Sequence, residues 1–154
     1  MTVNDFAKQV IFRNFVKQGH TRKDFHCIQI SQHLFCFCSF QIKEALGIRG
    51  MSTEISTWQI LPNETDSTQG AQIDMIIERA DRIIHLCEMK FSQDVYHITK
   101  EYDKHIRERV GLFKYVTGTK KTVVNTFVTT YGVANGKYSS IVHSNVVLDD
   151  LFKA

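Results

Sequence analysis

The stretch Gly70–Ser92, GAQIDMIIERADRIIHLCEMKFS, decides how this chain is interpreted, because it is typical of two adjacent strands that carry charges inside them. Ile, Met, Leu and Phe dominate it, and the polar break at residues 80–82 indicates a tight turn between antiparallel strands. Asp74, Glu88 and Lys90 nevertheless fall within the strands. A charge buried there costs several kcal/mol unless a partner or a metal compensates it. These three residues therefore form a candidate site.

The position of the turn determines which residues of the two strands face each other. A three-residue loop centred on Asp81 places Asp74 directly opposite Glu88. Because side chains alternate between the faces of a strand, Glu88 and Lys90 share one face, about 6.6 Å apart. Opposed residues have Cβ atoms about 4.5 to 5.5 Å apart, and two carboxylates at that separation repel each other unless a cation lies between them.

Two readings of this site follow from the residues. Hard carboxylate oxygens suit Mg²⁺, which binds oxygen ligands at about 2.0 to 2.1 Å and lowers the pKa of a bound water, so Asp74 and Glu88 would hold the metal and Lys90 would serve that water. The alternative is a structural ion pair between Lys90 and either acid, without a metal.

The pattern on either side of the hairpin predicts an α/β (α+β) fold with the element order α-β-β-β-α-β. The β-branched strand that follows the hairpin and a long amphipathic helix is predicted to pair in parallel with the second hairpin strand through a right-handed crossover. We therefore expect a mixed central sheet flanked by helices. The predicted elements are a helix at Gln32–Leu46, strands at Thr53–Leu61 and Thr122–Val133, a helix at Ile98–Thr117, and an edge strand at Ile141–Leu148 with a last helical turn at Asp149–Phe152.

Composition bounds the class of protein without naming a function. The 154 residues, 43% of them hydrophobic and 23% charged, suit one soluble domain, and the net charge of +3 permits a polyanionic partner without requiring one. We expect a domain at residues 33–154 preceded by an N-terminal helical extension and linker at residues 1–32. The chain has no apolar run long enough for a membrane span and does not begin like a signal peptide, so we expect a cytoplasmic protein that does not contact a membrane.

The arrangement of Asp74 followed by Glu88-Met89-Lys90 on adjoining strands resembles the active site of the PD-(D/E)XK, or restriction-endonuclease-like, nuclease superfamily. The resemblance implies that Asp74 and Glu88 hold Mg²⁺ or Mn²⁺, that the main-chain carbonyl of Met89 joins them, and that Lys90 assists the attacking water. The first helix of such nucleases sometimes supplies a further acidic ligand, for which Glu44 is the nearest candidate. Ile73 stands where the superfamily motif has its Pro, a change that touches no ligand.

A closer resemblance is to the nuclease-like domain that follows the P-loop ATPase domain in a group of bacterial AAA-type ATPases. It covers roughly residues 34–152 and rests on six ordered segments: IKEALGI, GAQIDMIIERAD, LCEMKFS, ITKEY, TGTKKT and TTYGV. No GxxxxGK[ST] motif occurs in the chain, so the resemblance implies an isolated C-terminal domain, a fragment or a stand-alone relative, with an ATPase as a possible partner.

A basic stripe on the predicted second helix is the candidate nucleic-acid surface. Its residues are Lys100, Lys104, Arg107 and Lys114, and Gln72 on the preceding strand is a further candidate for a phosphate contact. The alternative for the stripe is a solvated face moderated by acidic neighbours. Tyr102 on the same helix is predicted to be a core residue, and His85 on the strand is predicted to be a packed core or edge residue and not a ligand. The sequence thus predicts a metal-dependent DNA nuclease, with a non-catalytic DNA-binding or regulatory module of an ATPase as the alternative and a protein-interaction domain as a third reading.

Overall fold

The computed structural model describes residues 39–60 and 70–152, which form a mixed α/β structure around one five-stranded sheet. The described part begins in a helix, α1, at residues 39–45, and a long helix, α2, spans Lys100–Thr117. The strands are β1 Thr53–Ile60, β2 Ala71–Arg79, β3 Ile83–Lys90, β4 Thr122–Thr129 and β5 Ser144–Val147. Short 3₁₀ helices span Ser139–Ile141 and Leu148–Phe152.

The strands lie in the sheet in chain order, β1-β2-β3-β4-β5. The first three form an antiparallel meander, and β3–β4 and β4–β5 are parallel pairs. The predicted parallel pairing of the second hairpin strand, β3, with the strand after the long helix, β4, is confirmed, and so is the mixed sheet. The predicted extension at residues 1–32 lies outside the described residues.

Several predicted boundaries differ from those observed. β4 ends at Thr129 instead of continuing to Val133, since the chain turns there through Gly132, which has a left-handed φ of 91°. Glycine lacks the Cβ that makes this backbone conformation costly for other residues. The last helical turn is a 3₁₀ helix that begins at Leu148, so the preceding edge strand is short.

The turn between β2 and β3 has the predicted three residues and sets the predicted register. Arg82 adopts a left-handed φ of 69°, and its amide donates to the carbonyl of Arg79 at 3.2 Å. Beyond the turn Glu78 pairs with Ile84 and Met75 pairs with Cys87. The paired residues end at Met75 and Cys87, so the predicted register is observed up to the residue before Asp74, and Asp74 and Glu88 are the next residues along the two strands.

A β-bulge in β2 lies at the candidate site. Ser56 of β1 pairs with Ile76, but Trp58 pairs with Ile73, so β2 has one residue more than β1 between these pairs. An extra residue reverses the alternation of faces. As a result Ile73 and Ile76 pack on the same side of the sheet, and Asp74 lies within the bulge.

Helices cover the two faces of the sheet separately. Ile42 of α1 packs against Met75, Cys87 and Met89 on one face. On the other face, Phe113 of α2 packs against Ile84 and Leu86. Glu88 follows Leu86 by two residues, so it points to the α2 side.

Helix α2 forms because its ends are capped and one face is apolar. The Thr99 hydroxyl accepts from the Tyr102 amide at 3.2 Å, and Gly118 ends the helix in a left-handed conformation. Ile106 and Phe113 are its buried residues. A cap of this kind contributes about 1 kcal/mol, and burial of the apolar side chains supplies most of the rest. No helix in the described ranges is long and apolar enough to cross a membrane.

Candidate functional site

Glu88 is the centre of the candidate site, near the carboxyl end of β3. Glu88 is only 4% exposed, although glutamate is seldom buried without partners. Leu86, two residues earlier on β3, points to the same side of the sheet. Phe127 of β4, which pairs with Glu88 in the parallel register, packs beneath α2. The carboxylate therefore sits in an apolar layer between the sheet and the helix, where it requires compensation.

Three donors from two elements supply that compensation. The Tyr102 hydroxyl donates to Glu88 Oε1 at 2.5 Å, and Lys90 Nζ lies 2.7 Å from the same oxygen. The Arg109 guanidinium binds Glu88 Oε2 through Nη2 and donates from Nη1 to the carbonyl oxygen of Gln72 at 2.9 Å. Arg109 thus links α2 to both β2 and β3.

The pKa of Glu88 reflects a balance between burial and these partners. Burial, the largest single influence, favours the neutral acid and raises the pKa. The charges of Arg109 and Lys90 and the hydrogen bonds from Lys90 and Tyr102 act in the opposite direction and hold the pKa below its usual value. Glu88 is therefore ionised at neutral pH.

Asp74 reaches the same place from the neighbouring strand. Its Oδ2 accepts a hydrogen bond from the backbone amide of Met89 at 3.0 Å, so the side chain lies between Glu88 and Lys90 along β3. Both acids also act on Cys87, whose pKa is raised by burial and then by the charges of Asp74 and Glu88. The structure therefore brings the three predicted catalytic residues together.

Asp74, Glu88, Lys90, Tyr102 and Arg109 together are called the Glu88 cluster. Lys90 and Tyr102 form its more accessible side. The Lys90 side chain is 24% exposed, and its ammonium lies 5.0 Å from the centroid of the Tyr102 ring. Tyr96 packs edge-on against Tyr102 with centroids 5.8 Å apart. Burial and then the charge of Glu88 raise the pKa of the Tyr102 phenol, which keeps it a neutral donor. Lys90 is accordingly a partly exposed cation in direct contact with the buried Glu88 carboxylate.

The residue types fit a divalent cation, while the local charge already balances without one. Asp74 and Glu88 offer hard carboxylate oxygens from adjacent strands, the donor type that Mg²⁺ and Mn²⁺ prefer. Within residues 39–60 and 70–152, no three His, Cys, Asp or Glu side chains converge as a ready ligand set. Two carboxylates face two cationic side chains, so a metal would enter next to Lys90 and Arg109 and be repelled by both.

Glu44 and Gln72, the other candidates near the metal, lie in different surroundings. Glu44 belongs to α1, on the side of the sheet opposite to Glu88, and its carboxylate is 3.1 Å from Arg49 Nη1 with 47% of its side chain exposed. Gln72 is at the site, and its backbone carbonyl is the group that receives Arg109. The structure therefore joins Gln72 to the cluster and joins Glu44 to Arg49 instead.

The basic stripe lies on the solvent side of α2. Lys104 and Arg107 are each two residues from Tyr102 and Arg109 respectively, which is about 200° around a helix. Their side chains are 76% and 58% exposed, and they pair with Glu108 at 3.7 Å and with Asp103 at 3.0 Å. Lys100 and Lys114 are exposed on the same helix. The stripe is thus a separate surface from the Glu88 cluster, and acidic neighbours moderate it.

Sequence reasoning missed Arg109 and assigned Tyr102 to the core alone. Both residues lie on the buried face of α2, seven residues or about two turns apart, in phase with Ile106 and Phe113. An arginine at an apolar position of an amphipathic helix was the available signal, because it must find an acid inside. His85, by contrast, is buried as predicted, with Nδ1 2.8 Å from the Thr126 hydroxyl.

Comparisons with known proteins add a distant structural likeness. No protein-family model matches the chain, and no curated protein matches it. A solved structure, the protein of unknown function AF1548, is similar to it with a TM-score of 0.48 and 15% sequence identity. The match covers 75% of this chain and 63% of the length of that protein.

Proposed function

We propose that the chain is a nucleic-acid phosphodiesterase domain of restriction-endonuclease-like topology, dependent on Mg²⁺ or Mn²⁺, with DNA as its substrate. One observation carries the proposal: Asp74 and Glu88 reach adjacent positions from neighbouring strands, and Lys90 is within 2.7 Å of the Glu88 carboxylate. The observed order of α1, three antiparallel strands, α2 and a parallel strand is the order expected for that topology.

Each of the three residues has a distinct task in this proposal. Asp74 and Glu88 would hold the divalent cation, assisted by the main-chain carbonyl of Met89. The bound cation would supply an acidic water and stabilise negative charge on the phosphate. Lys90, the partly exposed cation of the cluster, would orient the attacking water and stabilise the hydroxide that it forms, while the proton that the water loses would pass to bulk solvent. Tyr102 keeps the Glu88 carboxylate turned towards Lys90 through its hydrogen bond.

DNA would approach along positively charged surface. Lys100, Lys104, Arg107 and Lys114 provide exposed cations on the outer side of α2, and the chain carries a net charge of +3. Phosphate contacts of this type are independent of base sequence and weaken as salt releases counterions. A P-loop ATPase is a proposed partner of the chain. The proposed location is the cytoplasm.

Calorimetric titration with Mn²⁺ tests the metal site. With a phosphorothioate oligonucleotide present, we expect heat from the wild-type chain and its loss in Asp74→Asn and Glu88→Gln, because each substitution removes one anionic ligand but keeps a polar side chain of similar size. Glu44→Gln is the matched control, since Glu44 pairs with Arg49, and it should bind Mn²⁺ like the wild type. Equal heats from wild type and Asp74→Asn would remove the proposed metal site.

Cleavage assays test the reaction. Plasmid and single-stranded DNA are incubated with Mn²⁺ and with either the wild type or Lys90→Ala. We expect strand cleavage by the wild type and its loss in the variant, because the variant lacks the ammonium beside Glu88. Cleavage of equal rate by both proteins would refute the role of Lys90 and point to a contaminating nuclease.

A second candidate is a non-catalytic DNA-binding or regulatory module. It is favoured because both carboxylate oxygens of Glu88 already have bonding partners. Glu88 is 4% exposed as a residue, and its carboxylate, which is bonded to Tyr102, Lys90 and Arg109, is already stabilised without a metal. In this case the cluster ties α2 to the sheet, and the basic stripe binds DNA equally well in EDTA. DNA binding in EDTA without Mn²⁺ uptake or cleavage would identify this second function.

A further inference from the structure

We propose that Arg109 is a positioning residue that keeps the affinity of the site for a free divalent cation low and makes cation binding depend on a phosphate group. The inference rests on the proposed function, because it concerns the same pair of acids. Nothing in the Asp-Glu-Lys pattern assigns a role to this arginine. Its evidence lies in where α2 places the guanidinium and in the charges around it.

The guanidinium is fixed at the site from two sides. Nη2 binds Glu88 Oε2, and Nη1 donates to the Gln72 carbonyl at 2.9 Å, while the side chain is 10% exposed. Glu88 Oε1 is already engaged by Tyr102 and Lys90. Nε of Arg109 is buried and has no hydrogen-bond partner. One of its donors is thus unused inside the protein, which is an energetically poor state for a buried arginine.

The charge count gives the expected consequence. Asp74 and Glu88 contribute two negative charges, and Lys90 and Arg109 contribute two positive charges, so the cluster is neutral as described. A divalent cation alone would raise the local charge to +2 in a poorly solvated place. A phosphodiester group brings a negative charge and offers oxygens to the guanidinium, which binds phosphate in a bidentate manner. Cation and phosphate should therefore bind with positive coupling.

Arg109 differs from Lys90 in how it can respond. Lys90 is partly exposed, so its ammonium can turn to water when a cation reaches Glu88. Arg109 is held on α2 beneath the surface and stays near the acids unless an anion draws it away. The arginine, more than the lysine, is accordingly the charge that a free metal ion must overcome.

Metal titration of two Arg109 variants tests the inference on the whole chain. Arg109→Gln removes the charge, and Arg109→Lys keeps it without the fork of donors. Mn²⁺ affinity is measured by calorimetry, alone and with a phosphorothioate oligonucleotide, which resists hydrolysis. A methylphosphonate oligonucleotide of the same sequence, which lacks backbone charge, is the matched control. Melting temperatures establish that each variant is folded.

The expected results follow from the charges. Arg109→Gln should bind Mn²⁺ between about 5- and 150-fold more tightly than the wild type, the usual range of coupling between sites. Arg109→Lys keeps the positive charge, so it should bind Mn²⁺ as weakly as the wild type does. The charged oligonucleotide should strengthen Mn²⁺ binding to the wild type by a similar factor, and the uncharged oligonucleotide should leave it unchanged. Where Arg109→Gln does not fold, the wild-type arms still test the coupling, because Mn²⁺ binding that the charged oligonucleotide leaves unchanged refutes it.

Two outcomes overturn the inference, and they differ from each other. The role of Arg109 is refuted, and the metal site left intact, if Mn²⁺ binds but Arg109→Gln binds it no more tightly than the wild type, or if the charged oligonucleotide does not strengthen Mn²⁺ binding to the wild type. No Mn²⁺ binding by any protein, with or without oligonucleotide, refutes the metal site and with it this inference.

Discussion

Replacing Glu88 by Ala should destabilise the protein far more than an ordinary surface substitution. The substitution removes the carboxylate that receives Tyr102, Lys90 and Arg109 between α2 and the sheet. Lys90 is 24% exposed and can be hydrated after the loss, but Arg109 is 10% exposed and is left buried without its acid. Removing one partner of a buried ion pair typically costs about 3 to 5 kcal/mol. We expect a loss in this range.

Urea denaturation followed by circular dichroism measures this loss, with Glu44→Ala as the control. Glu44 also pairs with an arginine, but its side chain is 47% exposed, so its removal should cost no more than about 1 kcal/mol. A Glu88→Ala variant that costs about 1 kcal/mol or less, like the control, would refute the view that the buried carboxylate holds α2 on the sheet.

A paired replacement checks the cause of the loss. Glu88→Leu combined with Arg109→Leu removes both buried charges and fills the space with apolar groups, a change that is often neutral in other proteins. We expect the double variant to be more stable than Glu88→Ala alone. If the double variant instead loses as much stability as the single variants Glu88→Leu and Arg109→Leu lose together, the two charges do not act as a pair.

Three further predictions concern other parts of the molecule. Burial, then the charges of Arg79 and His143, lower the pKa of His85 from 6.5 to about 4, so the His85 imidazole is protonated in the unfolded chain at a higher pH than in the folded chain. The free energy of unfolding should therefore fall by up to about 3 kcal/mol as the pH drops from 6.5 to 4 and level off below pH 4. Urea denaturation of the wild type at several pH values measures this, and a free energy of unfolding that does not change with pH would contradict the prediction. Thr99→Ala should cost about 1 kcal/mol of stability through loss of the α2 cap, and thermal denaturation beside Thr99→Ser checks this. Lys104→Gln should weaken DNA binding uniformly across sequences and reduce the slope of the logarithm of the binding constant against the logarithm of salt concentration by about 1. Unchanged affinity would identify the basic stripe as a solvated face.

The hairpin was predictable because its signals are local. A polar break of three residues centred on Asp81 set the β2–β3 register, and the period of two then placed Glu88 and Lys90 on one face. The crossover from β3 through α2 to β4 was also predictable, since a β-branched strand after a long amphipathic helix has few ways to pair. These features depend on neighbours in sequence.

The sequence alone predicted the meander, the parallel crossover and the convergence of Asp74 with Glu88 and Lys90, because turn length and side-chain alternation act over a few residues. Only the tertiary structure decided the bulge at Asp74, since its position depends on how β1 pairs with β2. The rotation of α2 over the sheet likewise decided that Arg109 and Tyr102 meet Glu88, and that Lys104 faces water. Helix packing sets that rotation through apolar contacts such as that of Phe113 with Leu86, which are distant in sequence.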